Sequence, residues 1–91
     1  MNYEMHAIVY GRVQGVIFRD FTRRKAKKLG IVGTVQNLNN GTVEVFAQAG
    51  QKTLDEFLKH LKIGSLFSRV EKVDATFKKT INTYTDFTIL Y

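Results

Sequence analysis

The chain of 91 residues has no cysteine, no proline and no tryptophan. Without cysteine it forms neither a disulfide nor a thiolate metal site, and a cysteine nucleophile is excluded. Such a chain holds together by burial alone, and the expected location is cytoplasmic. Without proline, punctuation falls to glycine and asparagine. No apolar run approaches the roughly 18–20 residues with which a helix crosses a bilayer, so no membrane partner is expected. The first ten residues include Glu4 and His6 and lack a basic start followed by an apolar stretch, so no secretory signal is expected. Acidic residues are also scarce, 8 Asp and Glu against 14 Lys and Arg, which leaves a formal charge of +6.

What remains has globular composition, 44% hydrophobic and 24% charged, and does not resemble a disordered chain. The length fits a single domain spanning residues 1–91. Charge is unevenly spread. Residues 1–30 hold seven of the basic side chains against only Glu4 and Asp20, whereas the rest is nearly balanced. A basic third raises the potential for phosphates, nucleic acid or acidic lipid, and charge alone does not choose among them. Arg23, Arg24, Lys25, Lys27 and Lys28 read more simply as a solvated helix face.

Residues 3–10 are rich in β-branched and aromatic side chains and read as a strand, broken at Gly11. From Phe18 to Leu29 the residues Phe18, Phe21, Thr22, Ala26 and Leu29 share one side of a helical wheel. Arg23, Arg24 and Lys27 take the other side, and Gly30 supplies a stop. Residues 33–38 and 42–47 read as a hairpin around Asn39, Asn40 and Gly41. A two-residue turn would oppose Gln36 to Val45, mixing polar with apolar. A three-residue loop with Gly41 left-handed pairs Val35 with Val45 and Gln36 with Glu44, which keeps each face consistent. That register puts Asn37 on the face of Val35, Val43 and Val45, where an apolar residue is expected.

Thr53 and Glu56 have capping-box spacing, and Leu54, Phe57, Leu58 and Leu61 follow as a buried helical stripe that Gly64 ends. A strand over residues 69–77, with Val73, Ala75 and Phe77 on one face, comes next. Phe87, Ile89 and Tyr91 alternate in a short last strand. The order βαββαβ with a terminal strand predicts an α+β sandwich, both helices covering one face of an antiparallel sheet.

The stretch most able to carry chemistry is Gly11-Arg12-Val13-Gln14-Gly15-Val16-Ile17-Phe18-Arg19. Its two inner glycines allow close backbone approach, and it feeds a helix N-terminus, where free N–H groups and the helix dipole favour an anion. Arg19 adds a rigid fork suited to a phosphoryl group. No Gly-Lys-Ser/Thr follows, so this is not a nucleoside-triphosphate loop. A glycine-containing turn with Arg19 at the surface satisfies the same residues.

The full string resembles the first signature of the acylphosphatases. Gly33-Thr34-Val35-Gln36-Asn37, followed by Asn40-Gly41 and Val43-Glu44, resembles their second, and the resemblance extends over essentially the whole chain. It implies a ferredoxin-like sandwich and hydrolysis of a carboxyl–phosphate mixed anhydride to carboxylate and inorganic phosphate, with no metal and no cofactor. It further implies that Arg19 binds the phosphate and that backbone amides of Gln14, Gly15, Val16, Ile17, Phe18 and Arg19 cradle it. Asn37, the residue out of place on its face, would orient the attacking water. A monomer acting on a small acyl phosphate is expected, with no nucleic-acid partner.

Several positions depart from the commonest pattern, among them Thr34, which stands where a tryptophan is frequent. Ile17 stands where many bacterial members have glycine; since a β-branched residue resists positive φ, negative φ is expected there. Asp20 directly follows Arg19, either as a first-turn carboxylate on the helix dipole or facing the phosphate and weakening its binding. His6 and His60 have no spacing that points to a triad or metal site, and Ser65 and Ser68 have no adjacent base. The alternative function is a non-catalytic ferredoxin-like module binding RNA or a protein partner. RNA-binding versions carry a basic-glycine-aromatic run in the third strand; here that strand is Gly41-Thr42-Val43-Glu44-Val45-Phe46, a poor match. An inactive phosphate-binding domain is a third reading, which the presence of both Arg19 and Asn37 opposes.

Overall fold

A computed structural model describes residues 2–15, 17–80 and 83–91. The chain runs β1 (Tyr3–Arg12), α1 (Phe18–Lys28), β2 (Val32–Asn37), β3 (Val43–Ala49), α2 (Gln51–Ile63), β4 (Arg69–Lys79) and β5 (Phe87–Leu90). The strands form one sheet in the order β4-β1-β3-β2-β5.

Alternation decides which face of the sheet is covered. Met5, Ala7 and Val9 of β1, Val35 of β2, and Val43, Val45 and Ala47 of β3 are fully buried. They meet Phe18, Thr22 and Ala26 of α1 and Leu54, Phe57 and Leu61 of α2, so both helices cover one face, as expected. Fully burying one of the Val, Leu, Met or Phe side chains among them contributes about 1.5–3 kcal/mol. The other face is polar: His6 stacks on Phe46 with centroids 4.5 Å apart and its Nε2 lies 2.7 Å from Glu44 Oε2.

The hairpin has the expected three-residue loop. Val35 pairs with Val45, Gln36 with Glu44 and Asn37 with Val43, and Gly41 has φ 90°. Leu38 N–H donates to Thr42 O at 2.9 Å, and Asn40 Oδ1 accepts from Thr42 N–H and Oγ1, at 3.2 and 2.6 Å. Helix α1 ends as a Schellman turn: Gly30 (φ 72°) donates to Lys27 O at 3.2 Å and Ile31 to Ala26 O at 2.8 Å. Ile31 is thereby driven into the core, 2% exposed.

Four expectations are corrected. The sheet is not wholly antiparallel, because β5 pairs in parallel with β2. Strands β4 and β5 occupy opposite edges, so β5 cannot return against β4 as a hairpin partner. It starts where Asp86 is tied down: Gly33 N–H donates to Asp86 O at 2.9 Å, and Phe87 N–H to Asp86 Oδ1 at 2.8 Å. That backbone bond, with Lys27 3.5 Å away, holds the Asp86 carboxyl below its ordinary pKa.

Strand β1 does not stop at Gly11 but passes through a bulge between Tyr10 and Gly11 and continues beside β4 to Arg12. Gly11 has φ 121°, and a Cβ there would lie 2.1 Å from Arg69 O, so its glycine serves backbone approach within the sheet. Helix α2 begins at Gln51 with Gly50, in extended conformation, at the N-cap; Thr53 and Glu56 sit inside the first turns and form no capping box. Finally, β5 ends at Leu90, and Tyr91 is almost wholly exposed.

Candidate active site

Val13 and Phe18 are each 1% exposed. These two anchors hold both ends of the β1–α1 connection, here called the arch, in the core. Gly15 turns it with φ 71°. Gln14 closes it from the side: its Nε2 donates to Leu38 O at 2.7 Å and to Thr42 O at 2.8 Å. The first sequence motif is thus tied directly to the hairpin that carries Asn37.

Ile17 forms the N-cap of α1 in left-handed conformation, φ 63° and ψ 19°. The expected negative φ is therefore wrong. Among the described residues Ile17 is the only non-glycine with positive φ. The next residue, Phe18, is pinned in the core, and tertiary context overrides the preference of a β-branched residue here. Ile17 offers no side-chain cap. The first helical bond at this end runs from Phe21 N–H to Ile17 O, 3.0 Å, so the N–H groups of Phe18, Arg19 and Asp20 have no acceptor within the helix.

This uncapped helix end opens onto a cavity of about 220 Å³ lined by Val13, Gly15, Ile17, Phe18, Arg19, Asp20, Asn37, Ile89 and Tyr91. Four of the six expected cradle residues are among them: Gly15, Ile17, Phe18 and Arg19. Gln14 is not; its side chain braces the arch instead. Val16 lies outside the described residues. Arg19 is held by uncharged neighbours: Nη1 donates to Leu90 O at 3.3 Å, and the guanidinium carbon lies 4.8 Å above the Tyr91 ring. Asp20 lines the cavity but pairs with Arg24 Nε at 2.9 Å and Arg23 Nη2 at 3.3 Å, the helix-start role among its two readings.

Asn37 enters from the end of β2, on the covered face, as its register required. Its Oδ1 is buried without a hydrogen-bond partner among the described residues. A buried orphan acceptor is expensive, and Asn37 is one of the residues that line the cavity. His6 lies on the opposite face of the sheet, and Ser65 and Ser68 bond each other in the loop after α2. The bracing role of the Gln14 side chain was missed from sequence; a polar residue beside a glycine carries no signal for a carbonyl pair more than twenty positions away. Among the described residues no cluster of three or more His, Asp or Glu is placed to hold a metal ion, and no helix is long and apolar enough to cross a membrane.

The chain resembles known proteins over nearly its whole length. The acylphosphatase family profile matches residues 5–89. An acylphosphatase from Dehalococcoides mccartyi is 47% identical over 88 residues, 96% of this chain and 97% of that one. Mouse acylphosphatase-2 is 43% identical over 91% of this chain and 81% of its own. The crystal structure of acylphosphatase from Bacillus subtilis superposes with a TM-score of 0.95 at 36% identity, covering 98% of this chain and 99% of that one. Motifs, fold and relatives converge, and the chain belongs to the acylphosphatase family, whose members hydrolyse acyl phosphates.

Proposed function

We propose that Arg19 and the amides of the arch hold the phosphoryl group while Asn37 aims the water that attacks it. The reading is supported above all by Asn37, whose Oδ1 has no partner among the described residues, lining the same cavity as Arg19. A water that donates one proton to this oxygen has its lone pair turned toward the phosphorus. Arg19 grips two phosphoryl oxygens through its fork. The helix N–H groups and those of the arch, Gln14, Gly15, Val16, Ile17 and Phe18 in the proposal, meet the charge that shifts onto those oxygens in the transition state.

Water oxygen then bonds to phosphorus as the bond from phosphorus to the acyl oxygen breaks. The bonding pair leaves with the carboxylate, and both water hydrogens end on inorganic phosphate. The leaving carboxylate is a weak base and needs no general acid. The chemistry asked of the protein is therefore positioning and charge stabilisation, which an amide and a guanidinium supply without metal or cofactor. The reading includes a cytoplasmic monomer acting on a small molecule in free solution, with no nucleic acid or membrane involved.

Purified protein is expected to release phosphate from benzoyl phosphate in excess chelator, with competitive inhibition by inorganic phosphate. Arg19→Ala should weaken phosphate inhibition and lower kcat/KM. Asn37→Ala should lower kcat by about 10²–10³-fold while phosphate still inhibits. Near-normal turnover in either variant would overturn the assignment of that residue.

A further inference from the structure

Beside the phosphate cavity lies a second one of about 220 Å³, formed chiefly by Ile17 and Phe21 on one side and Leu66 and Phe67 on the other, with Arg24 at its rim. Ile17 walls both cavities. Around this groove the chain exposes three large apolar side chains: Ile17 66%, Leu66 88% and Phe67 66%. Scattered exposed leucines need no explanation, but a contiguous patch next to a binding site does. The loop that presents Leu66 and Phe67 is braced from within, since Ser68 Oγ accepts from Ser65 N–H at 2.7 Å and donates to Ser65 O at 2.9 Å.

From this continuity we infer that the groove receives the acyl substituent of the substrate and makes the enzyme selective for acyl phosphates with an aromatic or bulky aliphatic acyl group. The inference rests on the proposed seat of the phosphoryl group between Arg19 and Asn37. With the phosphoryl group so held, the acyl group must extend out of the phosphate cavity, and passing Ile17 brings it onto apolar surface. The strain at Ile17 agrees. A β-branched side chain in left-handed conformation that remains two-thirds exposed gains little from burial, and its apolar surface is left to wall both cavities. The other neighbouring cavity, reached past Asp20, Ile89 and Tyr91, is edged by charges already paired, Arg23 with Asp20 at 3.3 Å and Lys27 with Asp86 at 3.5 Å, and does not match an apolar substituent.

The test is steady-state kinetics of the wild type and a Leu66→Ser/Phe67→Ser double variant on benzoyl phosphate and acetyl phosphate, with inhibition by inorganic phosphate measured alongside. Both substituted side chains are exposed and lie outside the phosphate cavity, so acetyl phosphate turnover and phosphate inhibition should be unchanged. The preference for benzoyl over acetyl phosphate in kcat/KM should fall about tenfold, through KM and not kcat. An unchanged preference would overturn the inference, as would a wild type that self-associates through the patch, shown by a dimer in sedimentation that the double variant abolishes. Failure of the wild type to hydrolyse either substrate would remove the catalytic reading itself, a result distinct from a lost preference.

Discussion

The left-handed conformation of Ile17 can be tested by comparing two substitutions that remove the same packing. Ile17→Gly and Ile17→Ala both delete the side chain beyond Cβ, so the cost of that deletion is common to the two variants. What differs is the backbone. At an ordinary helical or extended position alanine is more stable than glycine by about 0.5–1 kcal/mol, because glycine loses more freedom on folding. In the left-handed region the Cβ costs about 1–2 kcal/mol. At φ 63° the second effect exceeds the first, and the glycine variant should be the more stable by about 0.5–1 kcal/mol. For a domain of this size that is about 2–8 °C in Tm, readily measured by thermal scans, with urea midpoints as a second readout. Had the arch followed the preference of isoleucine for negative φ, the order would invert. An alanine variant as stable as the glycine variant, or more stable, would refute the conformation and with it the claim that residue 17 is strained.

Three further outcomes are expected. Arg19→Lys should lose most of its activity despite keeping its charge, since a point ammonium cannot reproduce the two-pronged contact; the check is kcat/KM on benzoyl phosphate. Gln14→Ala leaves the Leu38 and Thr42 carbonyls without its two short bonds and should destabilise by about 1–3 kcal/mol in urea, with a fall in kcat as the hairpin and arch lose their brace. Thr22 lies in the core face of α1 with a buried Oγ1 that has no partner among the described residues; Thr22→Val keeps the shape, removes the orphan hydroxyl and should raise stability by about 1 kcal/mol, with Tm moving up.

The elements that sequence reasoning located well are those whose burial enforces a period. The α2 stripe of Leu54, Phe57 and Leu61 and the Val35–Val45 register follow from side chains that must reach a common core. Asn37 was legible for the same reason, as a polar residue in an apolar register. Capping and strand ends were not, because they turn on backbone competition that composition does not rank. Thr53 and Glu56 have the right spacing, yet extended Gly50 starts α2 before them. Gly11 looked like a strand break because the need for it lies in Arg69, nearly sixty residues away. Ile17 failed most instructively: its local preference is real, but Val13 and Phe18, both buried, dictate how the chain between them turns. The parallel pairing of β5 was hidden because nothing local to residues 87–90 reports which edge of the sheet is vacant.

The excess charge of the first third of the chain explains less about the site than its placement does. Of the seven cations there, Arg23 and Arg24 are engaged by Asp20, Lys27 faces Asp86, and Lys25 lies 5.9 Å from the Phe21 ring. Only Arg19 among them lines the cavity proposed to hold the phosphoryl group. Asp20 is the one carboxylate that lines it too, and its two ion pairs lie on the helix side, so the nearest negative charge is offset by neighbours and not by Arg19. The positive polarity of the cavity therefore comes from a single guanidinium and an uncapped helix start converging on one space. A net charge of +6 draws any anion toward the surface, but only an anion with several oxygens can use a forked donor and a row of amides at once. In the proposed reading that convergence, next to the buried Val13 and Phe18, is what would turn a basic chain into a site for a phosphoryl group.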